Sequence, residues 1–193
     1  LNPAACDSDN FLLDTFILRK KLLSDLVENS ASHGGAMNLI GAIAANLGGF
    51  RVSAFHYPGY LARIHCVRSY YRHSLSLLNT DIWRQLFMQA GQIYTKVRDE
   101  APARYTDKAV VNNVLVAGGC QIGGQVENSV LFRRVRIAAG AKVNGCVLMS
   151  NTEVAENAVL ENVICDKDVK IGPGKCLYGK TDNPLVIKKG TVL

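Results

Sequence analysis

The residues best suited to catalysis are scattered along this chain and form no cluster of neighbours. Histidine, the side chain that most readily transfers protons near neutral pH, occurs at His33, His56, His65 and His73. Cysteine occurs at Cys6, Cys66, Cys120, Cys146, Cys165 and Cys176. The cysteines form no C-x-x-C pair and no Cys–His spacing typical of zinc ligands. We therefore expect reduced core cysteines and no zinc site.

The densest basic cluster consists of Arg133, Arg134 and Arg136, beside Phe132. Alternate residues of a strand point outward, so one interpretation is a solvated outer surface. Guanidinium groups also match phosphate oxygens. The three arginines are therefore candidate contacts for a subunit interface or for a phosphorylated effector, and their spacing does not choose between these interpretations.

An aromatic and basic run, Tyr70-Tyr71-Arg72-His73, raises the question of nucleic-acid binding. Bases can stack on such residues, but helical spacing instead predicts that Tyr70, Ser74 and Leu77 face a sheet. The net charge of +6 is spread out, with 10 Lys and Arg against 6 Asp and Glu in residues 1–98 and 12 against 10 in residues 99–193. We expect no nucleic-acid partner.

The longest uncharged stretch, from Asn29 to Phe50, contains His, Asn and several Gly. Such a composition argues against a membrane span. The chain opens with Leu1 and shows no charged-then-apolar signal peptide. We expect a piece of a longer cytoplasmic polypeptide.

Internal repetition is the strongest pattern in the sequence. One set of positions, Val114, Val130, Val147 and Val163, is spaced by 16, 17 and 16 residues, and a second set, Ile122, Ile137, Val154 and Ile171, is spaced by 15, 17 and 17. Within each period apolar residues recur every six positions. Three such steps make one turn of a three-sided coil of short parallel strands, so the stretch from about Ala109 to Leu177 predicts a parallel β-helix of about four coils.

Asparagine and glycine recur where this coil must turn. Both tolerate the left-handed backbone conformation that sharp corners need. We expect Asn113, Asn128, Asn144 and Asn162 to stack and to form a side-chain hydrogen-bond ladder. Hexapeptide-repeat acyltransferases use a histidine of the repeat as general base, and here all four histidines precede the repeat. The sequence therefore argues against acyl transfer.

The first half has a different pattern. We predict strands at Phe11–Leu18 and Arg51–Tyr57, and helices at Lys20–Glu28, Met37–Leu47 and Val67–Leu78, with Asp81 capping a short helix that ends near Ala90. The predicted fold is a mixed α/β fragment followed by a β-helix. The predicted domains are residues 1–90, a linker at 91–108 and the β-helix at 109–193.

Four stretches together resemble the ADP-glucose pyrophosphorylase (glucose-1-phosphate adenylyltransferase) family, in its C-terminal portion. They are Gly59-Tyr60-Leu61-Ala62-Arg63-Ile64, Ser69-Tyr70-Tyr71 through Leu77-Leu78, Ile93 through Pro102, and Pro184 through Gly190. Within this family, the sequence most resembles the D-type glycogen-biosynthesis subunits, which pair with a catalytic C-type subunit. The resemblance implies that the coil is left-handed.

Two departures from the family motifs bear on activity. Active members read Gly-Tyr-Trp-x-Asp-Val-Gly-Thr, and that Asp helps to hold magnesium; here Arg63 stands at its position. A guanidinium group cannot be deprotonated and cannot ligate a cation, and nucleotidyl transfer depends on a metal. A second motif that usually carries Lys and Asp has Met37 and Asn38 instead. We therefore expect no catalytic residues and no cofactor in this fragment, although the family uses Mg and ATP.

The resemblance thus implies a non-catalytic, regulatory subunit that assembles with a catalytic C-type subunit in a homo- or hetero-oligomer and modulates it. Two alternatives remain at this point. One is a competent adenylyltransferase that forms ADP-glucose from ATP and glucose 1-phosphate with a carboxylate from elsewhere. The other is an assembly scaffold with no response to effectors.

Overall fold

A computed structural model describes residues 13, 15–32, 39–45, 47–89, 91, 93–95 and 99–193. The chain divides into two compact units, residues 1–57 and 58–193. Among the described helices, none combines the length and the apolar character that crossing a bilayer requires.

Residues 104 to 187 form a parallel β-solenoid whose thirteen strands lie on three faces. The first face, face A, stacks β1 (Arg104–Tyr105), β3 (Gln121–Ile122), β5 (Arg136–Ile137), β8 (Glu153–Val154) and β11 (Lys170–Ile171). The second face, face B, stacks the first half of β2 (Val110–Val116), the first half of β4 (Gln125–Leu131), β6 (Lys142–Asn144), β9 (Val159–Glu161) and β12 (Cys176–Tyr178).

The third face, face C, stacks the second halves of β2 and β4 with β7 (Val147–Leu148), β10 (Val163–Cys165) and β13 (Leu185–Ile187). Every pairing between coils is parallel, so the predicted β-helix of about four turns is confirmed. Its strands begin at Arg104, a few residues earlier than the repeat suggests, because β1 pairs with β3.

The core of the solenoid consists of columns of side chains, each column formed by residues at equivalent positions in successive coils. On face A the backbone register aligns Ile122, Ile137, Val154 and Ile171, as the second sequence spacing predicts. All four side chains are buried. Because each coil buries the apolar side of the coil before it, burial accumulates coil by coil and requires no second layer.

The first set of repeated positions, Val114, Val130, Val147 and Val163, does not form one column of face C. In two coils the aligned residue lies one position later. The register on face C aligns Leu115, Val130, Val147 and Ile164, whereas Val114 pairs with Ser129 and Val163 with Leu185. The correct spacings are therefore 15, 17 and 17, the same as on face A. The error has a physical cause: face C is buried on both sides, so apolar residues occupy both the inner and the outer column and hydrophobicity alone cannot distinguish them.

Three helical segments precede the solenoid within the second unit. They are α3 (Val67–Ser76), α4 (Thr80–Arg84) and a π-helical continuation, Gln85–Gln89. The predicted helix Val67–Leu78 is confirmed to within two residues. The predicted cap is wrong: Asn79 is the N-cap of α4 and accepts from the backbone N–H groups of Asp81 and Ile82, because its side chain lies one residue before the first turn.

The first unit holds α1 (Lys20–Ser32), α2 (Leu39–Ala45) and a 3₁₀ turn at Leu47–Gly49. The two predicted helices are confirmed in position. The predicted strands are not found: the described residues of 11–18 and all of 51–57 are irregular. A strand needs a hydrogen-bonded neighbour, and the described residues before 104 supply none. The regular structure among the described residues of this part is thus helical, and the domain bounds 1–90, 91–108 and 109–193 stay a prediction.

Candidate functional site

The motif segment around Tyr60 and Arg63 is anchored to α3 by hydrogen bonds. Ser76 Oγ donates to the carbonyl oxygen of His73 (2.8 Å), so its lone pairs face the Tyr60 hydroxyl at 2.7 Å. A hydroxyl carries one hydrogen, so Tyr60 donates to Ser76. Tyr60 oxygen then accepts from His73 Nδ1 (3.2 Å). The ring of Tyr60 also meets that of His73 edge-on, with centroids 6.4 Å apart.

Arg63 lies on an exposed, irregular part of this segment. The donor set does not fit a magnesium ion, since a guanidinium group offers no lone pair to a metal. Within the described ranges, no group of three His, Cys, Asp or Glu side chains is arranged to hold a metal. The two other degenerate positions, Met37 and Asn38, and His33 beside them lie outside the described residues. We derive no metal-dependent step from this chain.

Cys66 caps the N-terminus of α3. Its backbone N–H donates to Ser69 Oγ (3.0 Å), and the backbone N–H of Ser69 donates to its sulfur (3.4 Å). The hydrogen bond of the Ser69 side chain with the thiol, and then the one from the Ser69 backbone N–H, lower the pKa of the exposed Cys66 thiol. The interaction starts the helix at Val67 and so fixes which side chains α3 presents to the solenoid.

Helix α3 lies on face C of the solenoid. Tyr71, which is buried, packs on Val147 and Ile164 of the outer column, with Tyr70 and Leu75 at the edges of the contact. The sequence predicts a contact through Tyr70, Ser74 and Leu77. The predicted docking on a sheet is correct, but the contact is made by Tyr70, Tyr71 and Leu75. Because Tyr71 is buried in this contact, it is not accessible for stacking on a base.

The Tyr71 hydroxyl enters the asparagine ladder of the solenoid. The corner that joins faces B and C carries Asn113, Asn128, Gly145 and Asn162, all with φ between 47° and 60°. Asn113 Nδ2 donates to Asn128 Oδ1 (2.8 Å), and Asn128 Nδ2 donates to Asn144 Oδ1 (3.2 Å). The predicted ladder is confirmed over these three residues. It stops at Gly145, because glycine supplies no side chain there.

At this interruption the Tyr71 hydroxyl is the bridging group. It donates to the carbonyl oxygen of Gly145 at 2.5 Å and lies 3.0 Å from Oδ1 of Asn162. Asn162 Nδ2 continues to the carbonyl oxygen of Gly179 (3.3 Å). Burial raises the pKa of Tyr71 to about 12. The phenol is therefore a neutral donor at physiological pH.

The three arginines of the basic cluster are separated by the fold. Arg134 occupies a left-handed corner (φ 60°) and its Nε donates to Glu100 Oε2 at 2.9 Å. Arg136 points along face A toward Glu153, 3.6 Å away. Arg133 lies exposed on the turn between β4 and β5. Two of the three thus serve contacts within the chain.

Sequence reasoning missed Tyr71 and Glu100 as contact residues. Tyr71 pairs with a residue 74 positions away, and Glu100 with one 34 positions away. One signal was available for Tyr71: a glycine in a column otherwise occupied by asparagine marks a place where another group must approach. No comparable signal marks Glu100.

The solenoid offers two surfaces for a partner. A groove of about 750 Å³ runs along face A, lined by the small residues Gly123, Ala138 and Ala155 and by the row Arg136, Glu153 and Lys170. At the N-terminal end, β2 pairs with β4 on one side, and no described residue pairs with its other side. Val110 and Val111 of this edge are exposed.

Comparison with known proteins identifies relatives over most of this chain. Residues 100–180 match the family model of the GlmU-like, C-terminal hexapeptide. The chain is 39% identical over 184 residues to glycogen biosynthesis protein GlgD of Bacillus subtilis (strain 168), covering 95% of this chain and 53% of that protein.

More distant relatives carry the name of an enzyme. The chain is 30% identical over 182 residues to the glucose-1-phosphate adenylyltransferase of Fervidobacterium nodosum, covering 91% of this chain and 43% of the relative. It is 28% identical over 163 residues to that of Acetivibrio thermocellus, covering 84% and 38%. The chain spans about half the length of the curated relatives that it matches. Over that length it is similar to the GlgD proteins and the glucose-1-phosphate adenylyltransferases, and the resemblance that its motifs predict is confirmed.

Proposed function

We propose that this chain is part of a non-catalytic, regulatory subunit of a bacterial ADP-glucose pyrophosphorylase in glycogen synthesis, located in the cytoplasm. The observation that carries the proposal is Arg63. It stands where the family resemblance places a magnesium-binding Asp, and its permanent positive charge repels a divalent cation. The similarity to proteins named glycogen biosynthesis protein GlgD supports the same assignment.

Assembly with a catalytic subunit is supported by the open end of the solenoid. A strand edge with unpaired N–H and C=O groups and exposed apolar side chains is a template for pairing with another chain. The edge of β2 is seven residues long and presents Val110 and Val111. Solenoids are otherwise capped by a polar terminal repeat. We propose that the catalytic subunit covers this edge, and that Arg133 is available to the interface or to a phosphorylated effector.

The activity experiment compares the protein alone with a mixture containing the catalytic subunit. We expect no ADP-glucose from ATP and glucose 1-phosphate with the protein alone, and altered kcat or effector response in the mixture. Arg63→Asp, tested in the same assays, restores the carboxylate and shows whether this position limits turnover. Substantial turnover by the unmodified protein alone would refute the regulatory role.

The assembly experiment uses a matched pair of charged substitutions. Val110→Lys places a charge at the open edge of β2, whereas Val192→Lys places one at another exposed valine, near the opposite end. We expect Val110→Lys to weaken association with the catalytic subunit at least about tenfold in Kd, and Val192→Lys to leave it unchanged. Equal effects of the two variants would show that the edge is not the interface.

A second candidate function is favoured by the relatives named as adenylyltransferases. In this case the protein forms ADP-glucose itself, with a carboxylate from another part of the polypeptide in place of the one lost at Arg63. The activity assay separates the two candidates, since only the enzyme turns over without a partner.

A further inference from the structure

Helix α3 carries two separate sets of hydrogen bonds, one toward the motif segment and one toward the solenoid. On the first side Tyr60 is bonded to His73 and Ser76. On the second side Tyr71 bridges Gly145 and Asn162. A ten-residue helix is a rigid spacer, so a displacement at one set of bonds is carried to the other.

The contact with the solenoid is specific for one coil. Apolar packing alone would allow α3 to dock at more than one coil, since the outer column of face C has Val130, Val147 and Ile164 at equivalent positions in successive coils. The Tyr71 hydroxyl reaches the carbonyl oxygen of Gly145 and Oδ1 of Asn162 at the coil where the asparagine column is interrupted. A Cβ on Gly145 would lie 3.3 Å from that hydroxyl and 2.8 Å from Asn162 Oδ1. The missing side chain is what makes room for the tyrosine.

A third contact lies near the N-terminus of α3. Arg68 Nε donates to the carbonyl oxygen of Asp182, 2.5 Å away, in the turn that precedes β13. Arg68 and Tyr71 are three residues apart and so share one face of the helix. The Arg68 contact therefore restrains rotation of α3 about the Tyr71 contact.

We propose that α3 couples the motif segment, residues 59–65, to the solenoid. The Tyr71 hydroxyl, bound where the asparagine ladder is interrupted at Gly145, sets the position of α3 on the solenoid, and Tyr60 transmits that position to residues 59–65. Tyr71 and Tyr60 are positioning residues in this proposal. The segment that they position contains Arg63. The coupling is a property of this chain's fold and holds whether or not the protein is a regulatory subunit.

The decisive substitution is Gly145→Asn. Asparagine occupies the same left-handed corner at positions 113, 128 and 162, and Asn113 and Asn128 show that two such side chains stack in successive coils. The solenoid therefore accommodates the new residue and gains a continuous ladder, while the place of the Tyr71 hydroxyl is filled. Gly174→Asn is the matched control, because Gly174 is also a left-handed corner (φ 65°) and nothing lies within 4 Å of its missing Cβ.

Two measurements on the whole chain test the proposal. Hydrogen exchange of the amides of α3 reports its docking, and we expect exchange to rise about tenfold or more in Gly145→Asn while β7 and β10 keep their protection. Spin labels carried by unnatural amino acids at Ala62 and Lys142 report the position of the motif segment relative to the solenoid. We expect a narrow distance distribution in the parent and in Gly174→Asn, and a broad one in Gly145→Asn.

Two results would overturn the proposal: unchanged exchange of α3 in Gly145→Asn, or a freed α3 with the Ala62 to Lys142 distance still narrow. If Gly145→Asn fails to fold, Tyr71→Phe decides, because it keeps the ring on Val147 and Ile164 and removes only the hydroxyl. We then expect the same two changes in smaller amount, and an unchanged Tyr71→Phe variant would refute the role of the hydroxyl.

Discussion

The solenoid buries its large apolar side chains more completely than the first unit does, where Leu26 and Ile43 are buried but other apolar residues are exposed. In the solenoid the large inward residues Leu131, Leu148 and Leu160 are at most 1% exposed. In the first unit Ile17, Val52 and Phe55 are 100%, 61% and 87% exposed. The difference follows from how each fold finds its packing partners. A coil of a solenoid packs on the next coil, which the chain supplies a few residues later, whereas a helix or strand of a layered fold needs a distant partner.

The comparison teaches where local sequence is enough to specify structure. Six-residue periodicity repeated over 15 to 17 residues produces both the strand and its neighbour, so the element and its packing partner come from one pattern. Helical periodicity in residues 20–45 predicts α1 and α2 but does not predict which elements these helices pack against. The predictions below test this difference, from the largest expected effect to the smallest.

A cavity in the solenoid core should be far more damaging than truncation of an exposed apolar side chain in the first unit. Leu148→Ala removes a fully buried side chain between two coils, so we expect the free energy of unfolding to fall by about 2–5 kcal/mol. The matched control is Val52→Ala, at an exposed position, for which we expect a change below about 0.5 kcal/mol. Urea unfolding followed by circular dichroism measures both, and a similar loss in the two variants would contradict the comparison.

Alkaline pH should destabilise the solenoid through its buried thiols. Burial raises the pKa of Cys146 and of Cys165 from 9.0 to about 12. In the unfolded chain these thiols lose their protons near pH 9, whereas the folded chain keeps them until about pH 12. The folded state therefore binds more protons in this window, and rising pH favours unfolding.

Removal of one thiol checks the sign of this effect. Cys146→Ala lowers stability at neutral pH but should make the decline above pH 9 shallower, by about 1.4 kcal/mol per pH unit. Val143→Ala, which removes volume from the same core without removing a titratable group, serves as control and should leave the slope unchanged. The measurement is urea unfolding across the window from about pH 8 to 11. Equal slopes in parent and Cys146→Ala would contradict the assignment.

The corner asparagines should be more sensitive to backbone conformation than to loss of their ladder bonds. Asn128 adopts φ 47°, which strains an alanine and suits a glycine. We expect Asn128→Ala to cost about 1–3 kcal/mol and Asn128→Gly to cost less, since glycine loses only the side-chain hydrogen bonds. Thermal unfolding compares the two variants. Equal losses would show that the ladder, and not the corner, carries the stability.

The ion pairs along face A should contribute least. Glu153 lies 3.6 Å from Arg136 and 3.8 Å from Lys170, and all three side chains are substantially exposed. Solvent screens such pairs, so Glu153→Gln should change the free energy of unfolding by less than about 0.5 kcal/mol. A larger loss that grows at low salt would indicate that face A is a more enclosed surface than its exposure suggests.

The outcome of the sequence predictions follows the same division. The β-helix, its face A register and most of the asparagine ladder could be predicted, because they depend on residues that repeat nearby. Strands at 11–18 and 51–57 could not be judged from alternation alone, since a strand also needs a partner. The register of face C was misjudged because a helix covers its outer column and makes both columns apolar.

The candidate site shows the same limit at the level of single residues. The role of Arg63 stays a prediction from its position in a motif, since it depends only on the type of residue found at that place. The arginine cluster could not be interpreted from spacing, because Arg134 and Arg136 find their partners, Glu100 and Glu153, through the three-dimensional arrangement of coils.

Amino-acid order alone determined that this chain builds a β-helix, since short-range periodicity suffices for it, and it places Arg63 where the family resemblance implies a metal-binding carboxylate. Only the tertiary structure decided where α3 docks, which tyrosine enters the ladder and which arginines are already paired. The contacts of Tyr71 and of Arg134 join residues 34 to 91 positions apart, and such distant pairs are brought together by the packing of whole elements, which no local pattern encodes.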